Sequence, residues 1–311
     1  MSSRNQSLGL AEDETGRFQA RLLQLSAPVG VSDIRNRTIH QDVALAAPLL
    51  PPTCVDLLIA DPPYNQTQSF SDTKFWRIDD EDYEAFTESW LVSLLPTLHP
   101  EASVYICSDW RSSQAVHRVC TRHLKVRNRI TWEREKGRGA KRNWKSACED
   151  IWFCTMARDY YFDVDAVKLK RRVLAPYRVG GSPKDWDETG GGNFRLTHPS
   201  NIWTDLTVPF WSMPENTEHP TQKPEKLVAK LILASCPPGG LVLDPFLGVG
   251  TTSVVARKLG RDFVGIDIDE YYCCLAEKRL ELAAGDKCIQ GYDEGVFWER
   301  NSGPNRTPRS R

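Results

Sequence analysis

Apolar residues along this chain fall into short blocks that stop at acids and prolines. Val55-Asp56-Leu57-Leu58-Ile59-Ala60 runs into Asp61-Pro62-Pro63-Tyr64-Asn65. A run of that length closed by a Pro-Pro turn reads as a buried strand, with Asp61 and Tyr64 emerging together at its carboxyl end. Leu241-Val242-Leu243 repeats the pattern, entering Asp244-Pro245-Phe246-Leu247-Gly248-Val249-Gly250-Thr251-Thr252 and then a helix-like stretch from Ser253 to Leu259. A third block, Asp262-Phe263-Val264-Gly265-Ile266, stops at Asp267-Ile268-Asp269 ahead of a helix expected from Glu270 to Leu282. A helix is also predicted from Glu81 to Leu98, strands at Ala102 to Ser108, Asn128 to Trp132 and Asp150 to Thr155, and an amphipathic stretch from Glu225 to Ser235. Strands alternating with helices predict an α/β fold.

Between Ala175 and Pro214 neither period persists. Pro, Gly and aromatic residues rise there, with Gly190-Gly191-Gly192, Trp186, Trp203 and Trp211, so the segment reads as a loop-rich insertion. The expected organisation is a flexible tail over 1–26, one half of the domain over 27–174, the insertion over 175–214, the other half over 215–290, and a C-terminal tail over 291–311 that is polar and basic from Asn301.

In open α/β sheets ligands bind at the carboxyl ends of strands, where three of these blocks place acids. A stiff Pro-Pro loop carrying a carboxylate and an aromatic ring suits a heterocyclic amine, accepting its N–H bonds while the ring stacks on its face. The glycine loop before a helix makes a cradle that a ligand can approach closely. It is no P-loop, because Thr251-Thr252 stands where Lys-Ser/Thr is needed, and Ser253 replaces the third glycine of a dinucleotide fingerprint. An acid one βα unit further on suits two ribose hydroxyls; Asp267 is placed for that and Asp269 for capping the next helix. By itself His219-Pro220-Thr221-Gln222-Lys223-Pro224 reads as a helix entrance.

Asp61-Pro62-Pro63-Tyr64 and the Asp-Pro-Phe-x-Gly-x-Gly-Thr loop at Asp244 to Thr251 resemble the two signature motifs of the amino-methyltransferases of DNA. The catalytic motif comes first and the cofactor motif last, the order of their β class, and the resemblance spans about residues 34 to 285. It implies a Rossmann-like S-adenosylmethionine-dependent methyltransferase fold, circularly permuted, with a target-recognition insertion between the halves. It also implies catalytic roles for Asp61, Pro62 and Tyr64, and a cofactor site of Asp42, Asp61, Lys223, Asp244, Phe246, Gly248, Gly250, Thr251 and Asp267. Lys223 would lie near the methionine carboxylate, and Asp42, in Ile39-His40-Gln41-Asp42, near the adenine. His40-Gln41 departs from the Asn-Gly often found there.

Net charge, −1 over 311 residues, does not suggest a polyanion as partner, but its distribution does. From Arg111 to Arg178 eighteen Lys/Arg stand against seven Asp/Glu, so the middle third is basic and suited to neutralising phosphates. Arg134, Lys136, Arg138, Lys141, Arg142 and Lys145 are the candidate DNA contacts. Nine cysteines without a Cys-x-x-Cys pair and only six histidines indicate neither a disulfide framework nor a metal site. No Pro-Cys dipeptide is present for attack on a cytosine ring. No apolar stretch reaches membrane length and Met1 to Gln6 lacks the core of a signal peptide, so a cytoplasmic protein is expected.

The expected reaction is methyl transfer from S-adenosylmethionine to N6 of a flipped-out adenine in double-stranded DNA. Cytosine N4 is the rival target, because Ser-Pro-Pro-Tyr relatives lean to cytosine and Asp-Pro-Pro-Tyr relatives to adenine. A non-catalytic nucleic-acid-binding partner of the same fold is the rival from another class, and RNA remains a third substrate. A homodimer and a cognate restriction endonuclease stay open as partners.

Overall fold

The computed structural model describes residues 7–300 except 71–72, 139–141, 143, 174–176 and 190–191. Its centre is an eight-stranded sheet in the spatial order Arg37–His40, Asp262–Asp267, Leu241–Asp244, Val55–Ala60, Leu98–Ser108, Ser146–Thr155, Lys125–Arg138 and Ile202–Trp203. The first five strands are parallel; Ser146–Thr155 then runs antiparallel to both its neighbours, and Ile202–Trp203 is parallel to Lys125–Arg138. Val55–Ala60 and Leu241–Asp244, far apart in sequence, are neighbours at the middle, and the first strand pairs with the last of the parallel set. This is the permuted, Rossmann-like order that the motif order implies. The strand order reverses between Val55–Ala60 and Leu241–Asp244, and the crevice at such a switch point is where ligands bind.

The continuous apolar run of the Val55 block follows from burial on both faces. Leu57 and Ile59 pack on one side with helices Glu225–Ser235 and Thr251–Lys258, while Leu58 and Ala60 pack on the other with Trp90, Leu94, Val116 and Cys120 of helices Asp80–Leu94 and Ser113–His123. The helix expected to Leu98 ends at Leu94, because Pro96 cannot continue it, and a single 3₁₀ turn leads into the next strand.

Three expectations need correction. Residues 1–26 are not all a loose tail: from Leu8 onward the chain bridges to Thr217, forms a helix over Thr15–Gln19, and buries Phe18 completely. Arg17 and Arg21 hold Glu281 at 3.1 and 2.6 Å. Second, the insertion is wider than 175–214 and has its own sheet, ordered Asp187–Thr189, Gly192–Thr197, Leu169–Arg172, Val296–Trp298 and Tyr292–Asp293. The tail expected from residue 291 therefore supplies two of its strands. Third, Glu225–Ser235 is buried along its whole length rather than amphipathic. Its lysines are covered because Asp205, from the insertion, pairs with Lys226 at 2.8 Å and Lys230 at 2.6 Å.

Candidate active site

Asp61 directly follows, and Asp244 ends, one of the two strands that flank the switch point. The loop after Asp61 is pinned on both sides. Tyr83 donates its hydroxyl proton to the Pro63 carbonyl at 3.0 Å, and buried Asn65 exchanges side-chain hydrogen bonds with the Ile78 backbone at 3.0 Å each while its own N–H reaches the Ser112 hydroxyl. The Asp61 carboxylate thus projects from a fixed frame.

Around it lies a buried ionic cluster. The Lys223 ammonium donates to Asp61 Oδ2 at 2.6 Å and to the Tyr64 hydroxyl at 3.0 Å, and lies 3.3 Å from Glu149 Oε2. The Tyr64 hydroxyl is 2.9 Å from Asp61 Oδ1 and 3.0 Å from Glu149 Oε2. Arg134 closes the set, 2.6 Å from Glu149 Oε1. Burial pushes the Asp61 carboxyl above the usual range; Lys223 pulls it back and Glu149 pushes it up again. Burial opposes the charge on Lys223, but Asp61 and Glu149 outweigh it and hold the ammonium protonated. Tyr64, half-buried beside two carboxylates, is driven well above an ordinary phenol and stays a neutral donor.

The second loop is held differently. Asp244 accepts the Phe246 N–H at 3.0 Å, and burial raises its carboxyl to about 7. Asp267 accepts from the backbone of Gly248 at 2.7 Å and Asp269 at 2.9 Å, tying the glycine loop to the next strand. Asp269 caps the helix Glu270–Gly285 by accepting from Tyr272 N, as its position suggested. Gly248 sits at φ +50°, and a Cβ there would stand 3.4 Å from the His219 ring. Burial lowers His219 to about 4, so it lines the cleft as a neutral imidazole. Asp42 is drawn beside Asp267 because the strand ending at His40 is in register with it, and Asp42 caps the next turn through Ala44 N at 2.7 Å.

A single cleft joins the loops, lined by Asp42, Asp61, Pro62, Tyr64, Lys223, Asp244, Phe246, Gly248, Thr251 and Asp267. A DNA methylase family model matches residues 55–278, which hold both loops and everything between them. The chain belongs to the DNA methylase family. It is 32% identical over 258 residues to the DNA adenine methyltransferase YhdJ of Escherichia coli K12, covering 79% of this chain and 83% of that one. Solved structures share the fold at lower identity. PvuII DNA methyltransferase, cytosine-N4-specific, gives a TM-score of 0.58 at 15% identity over 80% of this chain and 91% of its own. A putative DNA modification methylase from Thermus thermophilus, complexed with S-adenosyl-L-methionine, gives 0.55 at 18% over 86% and 99%.

DNA is the substrate of this methylase, and S-adenosylmethionine is the methyl donor of its family. The cleft fits such a donor. Carboxylates at Asp42 and Asp267 can accept from hydroxyl and amino groups, and the Phe246 ring, edge-on to Trp90 at 5.2 Å, stands half-buried in the wall. The bend at Gly248 keeps the loop backbone at the cleft surface.

Four of the candidate residues have further partners within the chain. Gly250 does not line the cleft: it is the left-handed N-cap of helix Thr251–Lys258, and a Cβ there would lie 2.6 Å from Ala276 Cβ, so the position demands glycine for close packing of two helices. Lys223 lines the cleft while its ammonium donates to Asp61 and Tyr64 and stands 3.3 Å from Glu149, so in this structure it is the counter-ion of the Asp61 carboxylate. Arg134 pairs with Glu149, whose buried charge needs a cation. Thr251 lines the cleft while its hydroxyl accepts from buried Arg279 at 3.0 Å, which also fixes the Val249 carbonyl at 2.8 Å. Of the other basic candidates, Lys136 and Arg138 stand on the strand Lys125–Arg138, their side chains outside the description; Arg142 and Lys145 are exposed; Lys141 lies outside the described residues. No helix among the described residues is long and apolar enough to cross a membrane.

Glu149 was missed from sequence. It opens an antiparallel strand, and the N-terminal end of such a strand lies at the same edge as the carboxyl ends of the parallel ones. A buried acid there was the available signal.

Proposed function

We propose that this methylase acts on N6 of adenine in double-stranded DNA, in the cytoplasm, with the base turned out of the helix into the cleft beside Asp61. The observation that carries the reading is the Asp61 carboxylate itself, set at the switch point with one oxygen on Lys223 and the other on Tyr64. An exocyclic amino nitrogen is a poor nucleophile because its lone pair is delocalised into the ring. Asp61 and the Pro62 carbonyl accept its two protons, which favours a tetrahedral nitrogen and aims the lone pair out of the ring plane. Tyr64, its hydroxyl fixed, presents its ring as the stacking platform. S-adenosylmethionine, when bound, supplies an activated methyl group on a sulfonium centre. Asp267 holds its ribose hydroxyls, Asp42 its adenine side, and the loop from Asp244 to Thr251 its methionine part. Methylation leaves the amino nitrogen with one proton too many, and Asp61, raised by burial, is in line to take it.

Adenine is favoured over cytosine N4 by Asp at position 61 and by the name of the relative at 32% identity. The segment from Ala175 to Pro214, extended by its partner strands, is the proposed reader of target sequence, and Arg142 and Lys145 are proposed phosphate contacts. The test is transfer of a tritiated methyl group to DNA followed by nucleoside analysis: label in N6-methyl-2′-deoxyadenosine is expected, and label in N4-methyl-2′-deoxycytidine overturns the choice of base.

A further inference from the structure

Glu149 has no part in the mechanism above, yet it touches Tyr64 and Lys223, both of the groups that hold Asp61. It is buried, its Oε1 is held by Arg134 at 2.6 Å, and its Oε2 faces both the Tyr64 hydroxyl and the Lys223 ammonium. The Tyr64 hydroxyl carries one proton and lies between two carboxylates at nearly equal distance, 2.9 Å from Asp61 Oδ1 and 3.0 Å from Glu149 Oε2. Its oxygen is meanwhile fixed as acceptor from Lys223 at 3.0 Å. The proton can therefore be redirected by rotating one O–H bond, with no side chain displaced and no charge moved. Each carboxylate has its own cation on the far oxygen, Lys223 for Asp61 and Arg134 for Glu149, so both remain competent acceptors.

We propose that Glu149 is a positioning residue that serves as the alternate acceptor for the Tyr64 hydroxyl proton, releasing Asp61 Oδ1 to the target amine when the base enters the cleft. This rests on the reading of Asp61 as the amine's acceptor. In the empty cleft the hydroxyl satisfies Asp61; with the amine donating there, the hydroxyl turns to Glu149. A buried carboxylate is thus never left without a donor, and the amine does not have to compete with the phenol.

The alternative role for Glu149, a counter-ion of Lys223 and nothing more, makes a different prediction about Tyr64. Single-turnover methylation rates of the full chain with saturating S-adenosylmethionine and target duplex should be measured for the wild type, Glu149→Gln, Tyr64→Phe and the double variant. Cofactor affinity by calorimetry and base flipping by 2-aminopurine fluorescence complete the set. An amide is a weaker acceptor than a carboxylate, so Glu149→Gln leaves the proton on Asp61 and should slow the reaction on the order of tenfold. Cofactor affinity and the flipped population should stay within about twofold, since neither depends on that proton. In Tyr64→Phe there is no proton to redirect, and the same Glu149→Gln change should cost less than about threefold. An equal cost in both backgrounds, or none in the wild type, overturns the proposal. Should Glu149→Gln fail to fold, Glu149→Asp keeps the charge but withdraws the acceptor, and the same dependence on the Tyr64 hydroxyl is expected. Asp61→Asn run in parallel separates the two ideas. Wild-type rates there would remove Asp61 and the reading of the site, whereas additivity with Asp61 still essential removes only the role of Glu149.

Discussion

The two loops that leave the central pair of strands begin alike, each with an aspartate followed by proline, and are held in opposite ways. The loop from Asp244 to Thr251 is built from its own neighbourhood: backbone N–H groups on Asp244 and Asp267, a left-handed glycine, and a helix packed against Ala276. The loop from Asp61 to Tyr64 is held by charges brought from three other segments, at Arg134, Glu149 and Lys223. A site that binds a donor of fixed shape can be made from local geometry, whereas a carboxylate that must stay ionised while buried needs cations, and those come from wherever the fold can place them.

That contrast can be broken from either side. Asp61→Ala should reduce methyl transfer on the order of 10³-fold while cofactor affinity stays within a few-fold, read by single-turnover rates and calorimetry. Lys223→Met should cost on the order of 10²-fold in rate, again with cofactor affinity little changed. Its pH profile carries a sign: Lys223 lowers the Asp61 pKa, so removing it moves the acid limb of activity to higher pH. A larger loss in cofactor affinity than in rate would return Lys223 to the binding side. Gly250→Val should act through stability, costing about 2 kcal/mol or more in urea denaturation, because the added Cβ meets Ala276 and the backbone is left-handed.

Asp244 gives a pH-dependent effect that belongs to its side alone. Burial raises its carboxyl from 3.8 to about 7, so its contribution to stability is fully present below the unfolded value and is lost as pH rises through about 7. Asp244→Asn should flatten that decline in thermal unfolding between those pH values. The smallest change expected is for Arg142→Gln with Lys145→Gln, which should weaken binding to all duplexes equally and reduce the slope of log affinity against log salt by about 2.

How much of this was legible in the sequence follows the same division. The strand at Val55, the glycine loop and Asp267 announce themselves because their signals are contiguous: an apolar run, a turn, an acid at the next βα unit. Gly250 was legible as a required glycine but not for its reason, since Ala276 lies on another helix. Glu149 and the pairing of Arg134 and Lys223 with it depend on which strand runs antiparallel, and no local pattern states that. The N-terminal segment was misjudged as a tail because its buried anchors, Phe18 and Leu25, show no periodicity.

The central claim is that the amine meets Asp61 while the donor is held by the other loop. A crystal structure with target duplex and an unreactive analogue of S-adenosylmethionine tests it most directly. The account predicts the exocyclic nitrogen of the flipped base within about 2.7–3.2 Å of an Asp61 oxygen, with Lys223 still on the same carboxylate. A target nitrogen bonded elsewhere, or Lys223 turned away from Asp61 onto the analogue's carboxylate, would contradict it.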